Sequence, residues 1–124
     1  MKSLLFVFLG GGLGSLLRFY ISNWINALHN SYFPWATLVI NILASLLLGF
    51  IIGFTDNKLE FSSLARVFWI VGFCGGFSTF STFANESFNL FLNNLTVPFI
   101  AYIFCSVALC LTAIFLGLYV GEEI

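Results

Sequence analysis

Charge is what this chain has least of. Lysine, arginine, aspartate and glutamate make up 7% of its 124 residues, against about a quarter in soluble domains. The four basic residues, Lys2, Arg18, Lys58 and Arg66, are scattered. No basic patch is left to follow a nucleic-acid backbone, so nucleic acid is excluded as a partner. The single histidine, His29, lies in a polar stretch without a neighbouring cysteine or carboxylate, which excludes a metal site built on it. Cys74, Cys105 and Cys110 all fall in apolar segments, and an odd count without pairing spacing argues against a disulfide framework. No histidine or lysine base lies near the serines and threonines of those segments, and no carboxylate pair stands at helical spacing within them. Catalysis therefore has nothing to work with, and an enzyme is not expected. The glycines Gly10–Gly12 lack both the preceding strand and the lysine of a phosphate loop. Repeats, low-complexity tracts and an internal domain boundary are missing as well.

What fills the chain instead is apolar. Hydrophobic residues make up 60% of it, and its mean hydropathy is +1.07. A soluble fold of this size buries only about two thirds of its surface, so large apolar patches would stay in water. Lipid is the natural solvent. A single domain over residues 1–124 is expected, with four spans at about residues 3–24, 34–54, 64–88 and 97–120. The fold class is an all-α membrane protein of four transmembrane helices. Lys2 before an apolar run resembles a signal peptide, but the run is too long and more spans follow. It is expected to be the first mature transmembrane helix. Four spans put both ends on one side with Lys2, Lys58 and Arg66, and leave Arg18 and His29 opposite. This basic bias points the ends to the cytoplasm. So few charges are involved that insertion in both orientations stays open.

The polar residues inside the spans carry the functional signal. In the first, Gly10–x–x–x–Gly14 allows close approach of a neighbouring helix or of a partner chain. Arg18 either snorkels to the headgroups or lines the mouth of an aqueous cavity that admits anions. Pro34 and Trp35 open the second span. There Thr37, Asn41 and Ser45 recur at four-residue spacing on one face. Asn41 needs a partner in hydrocarbon, and either an interhelical hydrogen bond or a polar track would supply one. The third span holds the densest stretch, Gly72–Phe83, with three glycines, four hydroxyls and four phenylalanines. Adjacent Gly75 and Gly76 should loosen the helix and expose backbone. Phe80 and Phe83 share one side, Ser78 and Ser81 another, and Thr79, Thr82 and Glu86 a third. Glu86 is the only acid inside a span. In the fourth, Tyr102 and Ser106 share a face. Four helices do not easily enclose an aqueous pore alone, so assembly is expected. Exposed carbonyls suit a small hard cation, while hydroxyl donors and ring edges suit a small anion. The inventory admits both, and physics alone does not choose the ion.

These residues carry a resemblance over essentially the whole length. Gly10–Gly11–Gly12–Leu13–Gly14–Ser15–Leu16–Leu17–Arg18–Phe19, the segment from Pro34 to Asn41, and Gly72–Phe83, in that order, resemble the Fluc or CrcB family of small bacterial fluoride channels. The resemblance implies a fluoride-selective channel in the bacterial plasma (inner) membrane that exports cytoplasmic fluoride by passive conduction. It implies an antiparallel, dual-topology dimer in lipid, with a second copy or a homologous chain as partner, and a third helix broken near its middle. Phe80 and Phe83 would be the paired pore phenylalanines and Asn41 the pore asparagine. Ser81 and Thr82 would continue the path, with Glu86 the acidic residue nearby. Tyr102 and Ser106 would lie beside the path, and Arg18 would be the vestibule arginine. The main-chain carbonyls of Gly75 and Ser78 would hold a central structural sodium ion at the dimer interface. Ser78 stands where the family usually has threonine, a change a carbonyl ligand tolerates, and Ala36 stands where it usually has glycine. Two other readings are a compact four-helix multidrug or cation exporter and a non-transporting membrane assembly protein. The first typically needs an acid in the first span, and this span has none.

Overall fold

In the computed structural model, residues 1–56 and 61–124 are described. The polar connection expected over residues 55–63 falls in part on residues 57–60, outside the described set. The described residues are helical, with no β-strand among them: α1 (Lys2–Leu28), α2 (Trp35–Asp56), α3 (Ser63–Arg66), a π-helical segment (Val67–Cys74), α4 (Gly75–Phe77), α5 (Phe80–Leu92) and α6 (Thr96–Glu123). The stretch from α3 to α5, Ser63–Leu92, runs as one span. Together with α1, α2 and α6 it gives four helices long and apolar enough to cross a membrane. At about 1.5 Å per residue, the 27 residues of α1 reach about 40 Å, enough for the hydrocarbon and both headgroup regions. Hence the helices extend past the apolar runs and take up polar ends such as Asp56, Glu122 and Glu123.

The ends follow local chemistry. Ser62 caps α3 by accepting the Ala65 amide at 3.1 Å. Asn94, at φ 57°, is the left-handed residue that closes α5. Around it Asn94 N donates to Phe91 O at 3.1 Å and Leu95 N to Leu90 O at 3.0 Å, which is a Schellman closure. Leu95 then packs on buried Leu90 in the cluster with Leu38 and Tyr102. Arg66 and Asp56 pair across the ends of α2 and the third span. Both are exposed, so the pair contributes at most about 1 kcal/mol.

Two helix pairs make up the body: α2 lies along α6, and α1 along the first half of the third span. Both are glycine contacts. A Cβ at Gly49 or Gly53 of α2 would run into the Ile114 or Leu118 carbonyl of α6, and one at Gly117 or Gly121 would run into those of Leu46 or Phe50. The pairing is therefore reciprocal, glycine stripe against backbone on both sides. In the other pair Gly10 and Gly14 meet the backbone of Phe68 and Phe73, and Gly76 meets that of Gly11. Gly10–x–x–x–Gly14 thus packs within the chain, whereas Gly12 has open space beside it.

Gly75 and Gly76 are not where the helix gives way. They remain helical in α4, and Gly76 serves the packing on α1. The chain becomes extended at Ser78 (φ −74°, ψ 160°) and Thr79 (φ −150°, ψ 117°), after eight residues of π-helix. The cause is a set of side-chain bonds made by Asn41 and Thr79.

Candidate functional site

The Ser78 amide still donates to the Cys74 carbonyl at 3.0 Å, and at Thr79 the backbone loses its helical partners. Asn41 of α2 replaces them at Thr79. The Thr79 amide donates to Asn41 Oδ1 at 2.8 Å, and Asn41 Nδ2 donates to the Thr79 carbonyl at 3.1 Å. Thr79 in turn caps α5, its Oγ1 accepting the Thr82 amide at 3.4 Å and donating to Thr82 Oγ1 at 3.0 Å. These bonds have a consequence two positions deep. In a continuous helix the Thr79 amide would serve the Gly75 carbonyl, and the Thr82 amide that of Ser78. Asn41 takes the first amide and the Thr79 hydroxyl the second. The carbonyls of Gly75 and Ser78 are thereby left without a hydrogen bond among the described residues.

Asn41 is only partly used. One Nδ2 hydrogen and one lone pair of Oδ1 remain, and Asn41 lines a cavity of about 260 Å³ beside the break. That cavity brings together Asn41, Phe80, Phe83 and Ser106 from the expected set, with Ser78 at its edge; Ser45, Thr79, Val107 and Cys110 complete it. Phe80 and Phe83 lie 5.6 Å apart, ring centre to ring centre, tilted at 46°. Ser106 is buried, and its hydroxyl has no partner. A buried, unsatisfied hydroxyl costs stability unless something else meets it.

Glu86 faces away from this cavity. Its Oε1 accepts from Thr37 Oγ1 and its Oε2 from Tyr102 OH, both at 2.8 Å. Tyr102 is fully buried and packs against Phe83 at 5.1 Å and Phe33 at 5.6 Å. The phenol therefore stands behind the Phe83 ring and holds the carboxylate. Beyond it a second cavity of about 560 Å³ opens between the α1–α2 connection and α5, and Glu86 and Asn89 are in its wall. Ser81 and Thr82 are exposed on α5 and line neither cavity. Arg18 is half-buried on α1, lines no cavity described here, and has no hydrogen bond or ion pair among the described residues.

Sequence reasoning missed Thr79 as the pivot and left Thr37 as a mere member of a polar face. A signal for Thr79 existed: a threonine followed three residues later by another, just before a periodic helix, has the form of an N-cap.

A family model described as "CrcB-like protein, Camphor Resistance (CrcB)" matches residues 5–118. The chain belongs to the CrcB family. Among curated relatives, the fluoride-specific ion channel FluC of Phocaeicola vulgatus is 41% identical over 122 residues, covering 98% of this chain and 100% of that protein. The FluC proteins of Bacteroides fragilis and Flavobacterium psychrophilum are each 40% identical, covering 99% and 100% of this chain and 98% and 100% of their own lengths. In this CrcB-family chain the polar residues of α2 and the third span are thus joined into one braced break beside one cavity.

Proposed function

We propose that this chain is a fluoride-selective channel that conducts fluoride passively across a membrane and lowers its cytoplasmic concentration. The observation that carries the reading is the cavity at the break, where the spare Asn41 N–H, the unpaired Ser106 hydroxyl and the two phenylalanines converge. Fluoride leaves water only if donors replace its hydration shell. Asn41 is suited to this because its other atoms are pinned to Thr79, which fixes the free N–H in place. The phenylalanine ring edges carry the positive part of the quadrupole and add weak attraction without competing charge. Glu86 would oppose an anion at close range in a poor dielectric. Its two hydroxyl donors hold it on the far side of Phe83.

The site is incomplete in one chain. Phe80 is 78% exposed, and Ser81, Thr82 and Asn85 are exposed in the same helix. Polar groups at membrane depth need protein or water against them. A second copy, antiparallel in a dual-topology dimer, supplies that cover, and Ser81 and Thr82 then continue the path along the interface. Arg18 would sit at the vestibule. The bare carbonyls of Gly75 and Ser78 fit a small hard cation, and we assign them to a structural sodium ion shared with the second copy. When bound, that ion would supply fixed positive charge at the centre of the dimer. The chain's own contribution is to free the two carbonyls through Asn41 and Thr79.

A drug or cation exporter fits less well. Such a mechanism needs a carboxylate free to exchange protons and cations. The one acid away from the ends of the described spans, Glu86, has each oxygen bound to a hydroxyl. Release of fluoride from liposomes reconstituted with the purified protein tests the channel reading. Within it, Asn41→Asp and Phe80→Ile should each suppress flux while the dimer persists. Unchanged flux in both would move the path elsewhere.

A further inference from the structure

The cavity at the break does not end at Asn41. One turn further along α2, Ser45 lines it, and Ser45 and Ser78 also line a second space of about 180 Å³ that extends toward Leu48, Ile70 and Gly75. The two spaces abut at this serine pair. Neither side-chain hydroxyl has a hydrogen-bond partner among the described residues. That is unusual for a helical serine in an apolar setting, which ordinarily bonds back to the carbonyl four residues earlier. Ser87 does so to Phe83, and Thr112 to Ala108, each at 2.8 Å. Ser45 does not, although the Asn41 carbonyl stands four residues before it. With Ser106 this makes three free hydroxyls, from α2, the break and α6, lining one cavity.

We infer that the hydroxyls of Ser45 and Ser78 are fluoride-contacting donors that carry the ion between the two spaces, on the side of Asn41 away from Phe83. The inference rests on the channel reading above. A hydroxyl that donates to no protein acceptor can turn its hydrogen to an anion without breaking a bond first. Asn41 and Ser45 lie one turn apart, so an ion leaving the asparagine N–H meets the next donor on the same face. Ser78 offers its hydroxyl from the third span to the same two spaces. Its role is then double: its carbonyl is free for a cation and its side chain for the anion.

The test is fluoride release from liposomes at about one channel assembly per vesicle. The rate reports conduction per channel, and the fraction of vesicles emptied reports how many channels are folded. Ser45→Ala and Ser78→Ala should each slow the rate by about tenfold or more, as expected for loss of a hydrogen bond to an ion, with the emptied fraction unchanged. Ser45→Thr, which keeps a hydroxyl, should stay within about threefold of the unsubstituted rate. Thr112→Val, which removes an exposed hydroxyl bonded to its own helix, should leave the rate unaltered. If Ser45→Ala empties few vesicles, Ser45→Cys keeps the volume and weakens the donor, and slower release at a normal emptied fraction supports the assignment. Unsubstituted rates in Ser45→Ala, or in Ser45→Cys in its place, overturn it. Absence of fluoride release by the unsubstituted protein overturns the channel reading itself, and this assignment with it.

Discussion

Asn41 does two jobs with one amide. Two of its bonding positions hold the Thr79 backbone, and the side chain, with one N–H to spare, lines the cavity. Asn41→Ala should therefore cost more than a lost contact, because the Thr79 amide and carbonyl are left buried and unpaired. The expected loss is about 2–4 kcal/mol, near 1–3 kcal/mol for each orphaned group with partial relaxation, read as a lower melting temperature in detergent. Asn41→Asp keeps the acceptor for the Thr79 amide. Its stability loss should be smaller, while the added negative charge still suppresses fluoride release. Tyr102→Phe should destabilise by about 1.5–3 kcal/mol, since it removes one of the two donors that hold the Glu86 carboxyl. No loss of stability would mean that the phenol is not what fixes the acid. At this scale the residue types were readable from the chain: an asparagine in hydrocarbon must find a partner. Which partner was not readable, because Asn41 and Thr79 are 38 positions apart and only packing brings them together.

Helix pairing rests on small residues, since lipid gives apolar side chains no reason to prefer a neighbouring helix. Gly117 and Gly49 sit where a Cβ would strike the facing backbone, while Gly12 has nothing beside it. Gly117→Ala should cost about 1–3 kcal/mol as α2 and α6 are forced apart. Gly12→Ala should be neutral or stabilising by up to about 1 kcal/mol through helix propensity. Thermal unfolding of the two variants in the same detergent checks the contrast, and equal effects would refute the pairing. The four-residue glycine spacing is plain in the sequence at Gly10–Gly14, Gly49–Gly53, Gly72–Gly76 and Gly117–Gly121. Spacing does not say which stripe meets which: Gly10–Gly14 admitted a neighbouring helix or a partner chain, and it meets the third span of its own chain. The weakness of this stretch was legible, but its cause was not. Glycines at 75 and 76 looked like the cause, yet the bonds that end the helix come from Asn41 and from the Thr79 cap.

As a whole molecule the chain is a set of four membrane-length helices with an unfinished face. Phe80, Ser81 and Thr82 are exposed on α5, and lipid would satisfy neither the Ser81 hydroxyl nor the hydrogen that Thr82 has left to donate. A cysteine placed at Thr82 should form a disulfide-linked dimer, or link through a short bifunctional thiol reagent, in a background without Cys74, Cys105 and Cys110. Only monomer under both conditions would count against the second copy covering this face. Fluoride release from liposomes bearing the purified protein is the most direct measurement of all. Rapid release of fluoride, with chloride retained in parallel vesicles, is the expected result. Fluoride release no faster than from protein-free liposomes would contradict the assignment of this chain as a fluoride channel.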